Sequence, residues 1–345
     1  MSEQSGERLP RPGARYHGDA AVAPGLLDFA VNVRRRRPPQ WLTDRLAARL
    51  PDLAGYPGAA DEHAAVAEIA RRHGVASDRV LPLAGGSEGF ALLAALRPRL
   101  AALLAPSFTE PEAVLSAAGI PLCHVVLPPP FHLADAAVPQ DADLVVLGNP
   151  TNPTGVLHPR ETVLALRRPG RLIVVDEAFA DAVPGEPESL ASADLPDVIV
   201  LRSLTKTWAL AGLRVGYAIG DPAVLQRISS HRPHWALGTL QLEAIAACSA
   251  PDAVAEAHAD ALRLQHVRTQ MAAALETLGL DVVDGSAPFI LFGVPDAALM
   301  RKRLRANGIA VRRCDTFIGL DGDYLRAAVR DEWPMLVAAL AEALR

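Results

Sequence analysis

Short, uniformly apolar runs recur through the middle of the chain, and most are followed by a stretch with apolar residues at helical spacing. "RVLPL" (79–83) precedes "GGSEGFALLAAL" (85–96), "LAALLAP" (100–106) precedes "EPEAVLSAAG" (110–119), and "DLVVLGNP" (143–150) precedes a helical pattern near 160–167. "RLIVVDEAF" (171–179) and "VIVLRS" (198–203) continue the series. Strands that are apolar on both sides and separated by helices predict a mostly parallel sheet covered on both faces. Upstream, residues 41–50 and 60–73 have the apolar spacing of amphipathic helices. Downstream, a long helical stretch near 251–278 leads to strands "FILFGV" and "YLRAAV", which flank a helix near 296–307, and a helix over 333–345 closes the chain. The expected organisation is α/β. Residues 49–248 form a large domain and 249–345 a smaller α+β domain, while 1–48 supply an N-terminal arm and a segment of the small domain.

Composition narrows the function. The chain has 345 residues, 50% hydrophobic and 21% charged, with a formal net charge of −5, as expected of a globular enzyme. A mildly acidic balance argues against nucleic acid as a partner, the run Arg34 to Arg37 being a local exception. Cys123, Cys248 and Cys314 are far apart with no C-x-x-C, so they read as core thiols in a reducing compartment. The N-terminus lacks the apolar core of a signal peptide, and the longest apolar stretch, 89–108, is broken by Arg97, Pro98 and Arg99. No membrane association and a cytoplasmic location are expected. His231 and His234 lie three apart without a third ligand in view, so no metal is expected.

Of 34 lysines and arginines, only Lys206 and Lys302 are lysine. Arginine carries charge as well as lysine, but it cannot lose its proton and attack a carbonyl. Lys302 sits in the charged run "RKRLR"; Lys206 sits in "SLTKTWALAGLRVGY", between apolar segments. Ligands of such sheets bind beyond the carboxyl ends of the strands. Those ends carry Gly85, Gly86, Ser87 and Glu88; Ser107 and Phe108; Asn149 to Gly155; Asp176; and Ser203, Thr205 and Lys206. "GGSEG" opens a helix, whose free N–H groups suit an anion, and Arg214 adds a bidentate fork. Each signal has an ordinary structural reading: an N-cap, an ion pair, a loop cap, plain core. Together they supply an amine nucleophile, a phosphate cradle, an aromatic plate, an amide donor and a buried carboxylate, the set that pyridoxal 5'-phosphate needs. A sheet protein that binds a phosphate without covalent chemistry would need neither Lys206 nor Asp176.

"SLTKTWALAGLRVGY", "NPTNPTG" and "VVDEAF", in this order, resemble the fold-type I aminotransferase superfamily over nearly the whole chain. The likeness lies in the histidinol-phosphate aminotransferase branch, nearest the L-threonine-O-3-phosphate decarboxylases of cobalamin biosynthesis. The resemblance implies that Lys206 holds the cofactor covalently, that Asp176 pairs with its pyridinium nitrogen, that Asn152 donates to its phenolic oxygen and that Phe108 stacks on its ring. Gly86, Ser87, Glu88, Ser203 and Arg214 belong to the same cofactor set. Tyr56, in "GYPG", looks like the tyrosine that reaches a neighbouring subunit's phosphate, which implies a homodimer. Arg326 matches the arginine that binds the substrate carboxylate, with Arg330 nearby. Aminotransferases of this branch usually carry tyrosine where this chain has Phe179, and "YHGD…LLDFAVNV" looks like the decarboxylase arm, which places His17 and Asn32 near substrate. Arg34 to Arg37 depart from the family's usual Asn-Pro-x-Gly, either as a solvated basic loop or as an added anion clamp. The resemblance thus implies decarboxylation of O-phospho-L-threonine, the alternative being amino transfer on histidinol phosphate or an aromatic amino acid.

Overall fold

The structure, a computed structural model, describes residues 21–345. Strand β1 (Leu27–Asp28) precedes helices α1 (Gln40–Ala48) and α2 (Ala59–His73). Then come β2 (Val80–Leu83), α3 (Gly86–Leu92), β3 (Ala101–Ala105), α4 (Glu110–Ala117), β4 (Leu122–Val126) and β5 (Leu144–Gly148). They are followed by α5 (Arg160–Leu164), β6 (Leu172–Asp176), β7 (Val198–Ser203), β8 (Gly216–Ile219), α6 (Pro222–Ser229) and α7 (Thr239–Ser249). The long α8 (Pro251–Thr277) leads to β9 (Phe289–Gly293), α9 (Ala297–Ala306), β10 (Ile309–Ala310), β11 (Arg312–Arg313), β12 (Tyr324–Ala328) and α10 (Trp333–Ala343).

Seven strands pair in the order β2-β8-β7-β6-β5-β3-β4. All neighbours are parallel except β8, which runs antiparallel to β2 and β7. Alternate residues of each central strand enter different cores, as the two-residue period of a strand requires. Leu104, Val145, Val175 and Val200 pack on one face with Ile69 of α2 and Ile245 of α7. Leu103, Val146, Val174 and Ile199 pack on the other with Phe90 of α3, Leu115 of α4 and Ile228 of α6. Both faces being covered, the strands carry apolar residues without alternation.

A third core gathers Ile290, Phe292 and Leu325 of the antiparallel sheet β11-β12-β9 with Leu264, Leu304 and Leu336 of α8, α9 and α10. Phe29 belongs to it although it lies near the start of the chain. β1 pairs in parallel with β10, Leu27 opposite Ile309, and the Ala328 N–H donates to the Phe29 carbonyl at 2.8 Å. The segment that follows, residues 30–33, is thereby held over the ends of the large sheet. Among the described residues no helix is long and apolar enough to cross a membrane, and no group of three His, Cys, Asp or Glu could hold a metal ion.

Candidate active site

The carboxyl ends of β5, β6 and β7 open into a cavity of about 440 Å³, roofed by residues 30–33 and by the small sheet. β6 delivers Asp176 to its wall, and the adjacent Glu177 turns the other way. Glu177 is buried, accepts from Ser189 at 2.6 Å and from the Leu190 N–H at 2.7 Å, and pairs with Arg202 at 2.9 Å. Arg202 also pairs with Glu186 at 2.6 Å, and Glu186 with Arg72 at 2.9 Å, so the charges behind the strand end neutralise one another. Removal from water pushes the Asp176 carboxyl up, to about 6, against the Ala178 N–H and the Lys206 charge, which favour its ionised form. A carboxylate so placed calls for a cationic partner.

After β5, the Asn149 side chain bonds the backbone of His158 in both directions, at 3.1 and 2.8 Å, and Thr151 donates to the Gly148 carbonyl. These bonds fix the turn from which Asn152 enters the cavity. After β7, Ser203 shares a 2.7 Å hydrogen bond with Thr205, Thr207 donates to Asp181 at 2.7 Å, and Lys206 lines the cavity between them. Gly86, Ser87, Phe108 and Arg214 complete this side. The turn before α3 depends on Gly85, whose φ is +80°, and a Cβ there would lie 2.9 Å from Arg214 Nη2. Only glycine lets the guanidinium rest over the turn.

The opposite wall is cationic. Arg326 is buried; it donates to Asn152 Oδ1 and, at 3.0 Å, to the Ala30 carbonyl, and its guanidinium lies 4.9 Å from the Phe289 ring centroid. Burial pushes it down, to about 9, still protonated at neutral pH. Arg326 Nε and Asn32 Oδ1 are buried without a hydrogen-bond partner among the described residues. Arg312, which the sequence reading missed, lines the cavity from β11, with Nη2 3.0 Å from Thr316 Oγ1. Its signal was an arginine directly after the apolar "GIAV".

Three expected residues lie elsewhere. Glu88 is spent on structure: its carboxylate accepts from the Ala84 N–H at 2.6 Å and pairs with Arg232 at 2.9 Å. Tyr56 is 76% exposed on the single chain, stacked on Trp235 at 4.1 Å. Arg330 lies outside the cavity and braces its roof from behind, donating to the Val31 and Val33 carbonyls at 3.0 and 3.3 Å. His17 falls outside the described residues. Nor is the run Arg34 to Arg37 simply a solvated loop, since Arg34 has a side chain only 6% exposed.

A mostly parallel sheet whose strand ends bring together a lysine, a half-buried carboxylate, an amide, an aromatic ring and a glycine turn beneath an arginine defines a pyridoxal-phosphate enzyme. The chain belongs to the class I and II aminotransferase family, which it matches over residues 25–333. A histidinol-phosphate aminotransferase of Mycobacterium tuberculosis is 65% identical over 333 residues, 96% of this chain and 92% of that one. A threonine-phosphate decarboxylase of Salmonella typhimurium is 31% identical over 92% of this chain and 91% of its own. The solved histidinol-phosphate aminotransferase of Clostridium acetobutylicum superposes with a TM-score of 0.85, covering 92% of this chain and 99% of that one; at 23% identity this speaks for the fold alone.

These likenesses overturn the expectation of O-phospho-L-threonine decarboxylation, and with it the placement in cobalamin biosynthesis, because the decarboxylase is the far more distant relative. The physical weakness of that reading lay in Phe179. It lines the cavity but packs edge-on against Phe289, centroids 5.1 Å apart, and a ring that fills space does not choose which bond breaks.

Proposed function

We propose that the protein transfers the amino group of histidinol phosphate to a 2-oxo acid. The observation that carries this reading is the 65% identity, over 96% of the chain, to a relative of that name. The cavity chemistry supports it: two buried arginines, Arg312 and Arg326, suit substrates that carry a phosphate in one half-reaction and carboxylates in the other. Bound pyridoxal phosphate supplies an electron sink for the charge that develops at the substrate Cα. Lys206 holds the cofactor covalently and moves the proton at Cα. Asp176 keeps the ring nitrogen protonated, Asn152 donates to the phenolic oxygen and Phe108 covers the ring. Gly86, Ser87, Ser203 and Arg214 hold its phosphate, while Arg326 and Asn32 orient the substrate. Residues 49–248 carry these cofactor contacts, and 249–345, with the described part of the segment 1–48, close over the substrate. The working unit is a homodimer in which Tyr56 of each subunit completes its partner's site.

The test is incubation with histidinol phosphate and 2-oxoglutarate, following glutamate. Glutamate should form with the native protein and not with Lys206→Ala, and borohydride reduction followed by peptide mapping should place the cofactor on Lys206. Exchange with an aromatic amino acid but none with histidinol phosphate would remove the substrate assignment and leave the reaction class. An adduct on Lys302 would remove the assignment of Lys206.

A further inference from the structure

Behind the roof segment whose Asn32 lines the active cavity lies a second cavity of about 140 Å³. At about 30 Å³ per water it has room for four or five waters, or for one tetrahedral oxyanion. Arg34, Arg35, Arg36, Arg263 and Arg330 line it, against Asp260, Asp331 and Glu332. The carboxylates are already engaged. Arg35 holds Asp260 at 2.6 Å, Arg36 holds Glu332 at 2.5 Å and Arg263 holds Asp331 at 2.9 Å.

One guanidinium, that of Arg34, is left over. The Arg34 side chain is 6% exposed, and neither Nη1 nor Nη2 makes a hydrogen bond to any described residue. Its ion pair, Nη2 to Asp260, is long at 3.9 Å and shares an oxygen with Arg35. Arg330 is unsatisfied only in part: its Nε lacks a hydrogen-bond partner among the described residues, while its Nη2 donates to the Val31 and Val33 carbonyls. A buried guanidinium without hydrogen bonds is costly, and a phosphate oxygen pair is the acceptor its planar fork fits best. We propose that this cavity binds a phosphate group, either inorganic phosphate or the end of a phosphomonoester, at a site separate from the catalytic cavity. Arg34 supplies the buried fork and Arg263 the rim charge. The site does not depend on which substrate the catalytic cavity takes.

Calorimetric titration of the cofactor-loaded protein with inorganic phosphate, and separately with glycerol 3-phosphate, tests this at ionic strength held constant with chloride. A saturable component should appear, and the tighter ligand identifies the source. Arg34→Gln and Arg263→Gln should each weaken it at least about tenfold, as loss of a charge-assisted hydrogen bond does. Arg326→Gln should leave it within about twofold. No saturable binding, or binding lost with Arg326→Gln and kept with Arg34→Gln, overturns the proposal. Should Arg34→Gln fail to fold, Arg263→Gln decides, because that side chain is 57% exposed.

Discussion

Asp176 and Glu177 are neighbours in the chain with opposite surroundings. Glu177 has its charges matched by Arg202 and its oxygens filled by Ser189 and Leu190, whereas Asp176 has one backbone donor and the cavity. With its carboxyl raised to about 6, Asp176 gains most from a cation on the cavity side. Asp176→Asn should keep the cofactor while turnover falls on the order of 10²-fold, the size expected for a lost charge partner; near-normal turnover would make the residue purely structural. Protonation below pH 6 neutralises Asp176, so cofactor affinity in the native protein should weaken as pH falls through about 6. A spectroscopic titration should show that slope, and Asp176→Asn should lack it. At this scale the strand-end polar residues and the rare lysine were legible, because a charge beside an apolar run must have a reason. Arg312 carried the same signal after "GIAV" but was passed over, since "RR" at 312–313 reads as solvated charge until β11 turns one of the pair inward. Glu88 misled for a related reason: a carboxylate at the start of a helix serves the backbone and an arginine as readily as a ligand.

Elements show where periodicity fails. α7 was missed because it is buried on nearly every side, so "TLQLEAIAACS" has no polar stripe to reveal its helical period. β4 was missed because it is the sheet's edge, where His124 and Val126 are exposed and the apolar run is broken. β8 holds only "GYAI", and its Gly216 is required by packing, since a Cβ there would come 2.5 Å from the Arg202 carbonyl oxygen. The turn between β2 and α3 is the element most open to test. Gly85→Ala forces alanine into a backbone conformation, φ +80° and ψ 166°, that essentially only glycine adopts, at about 1–3 kcal/mol, and also pushes Arg214 aside. Cofactor affinity should fall by about tenfold, the scale of one charge-assisted contact, with a modest drop in thermal stability. Unchanged affinity would show that Arg214 does not hold the cofactor phosphate.

For the whole molecule, two buried histidines contribute to behaviour in acid. His73 bonds Tyr217 at 2.8 Å and is held down to about 2 by burial and by the Arg202 and Arg72 charges; burial holds His158 down to about 4. Both stay neutral in the folded chain, whereas unfolded histidine takes up a proton near 6.5. The stability they allow is therefore present above about pH 6.5 and is lost as pH falls towards 4, by up to about 1.4 kcal/mol per pH unit for each. Asp176, with its raised value, works the other way between about 4 and 6 and offsets one of them. Urea unfolding at a series of pH values should give a shallower acid limb for His73→Gln; an unchanged limb would rule the group out. Quaternary structure is tested by mixing. Tyr56→Phe subunits combined with Lys206→Ala subunits should regain part of the native activity, because one site of each mixed dimer then carries neither change. A protein that stays monomeric at working concentration would end that expectation.

The pairing of Leu27 with Ile309 also ties catalysis to the order in which the chain is made. The N-terminal strand leaves the ribosome about 280 residues ahead of its partner, a wait of roughly a quarter to a full minute at ~5–20 residues per second. Until then Phe29 lacks its core and Asn32 its roof position, while the large sheet can already assemble. A nascent chain halted before Ile309 therefore carries Lys206 and Asp176 on a sheet open to water. A roof over the site therefore forms only after the small sheet has been made.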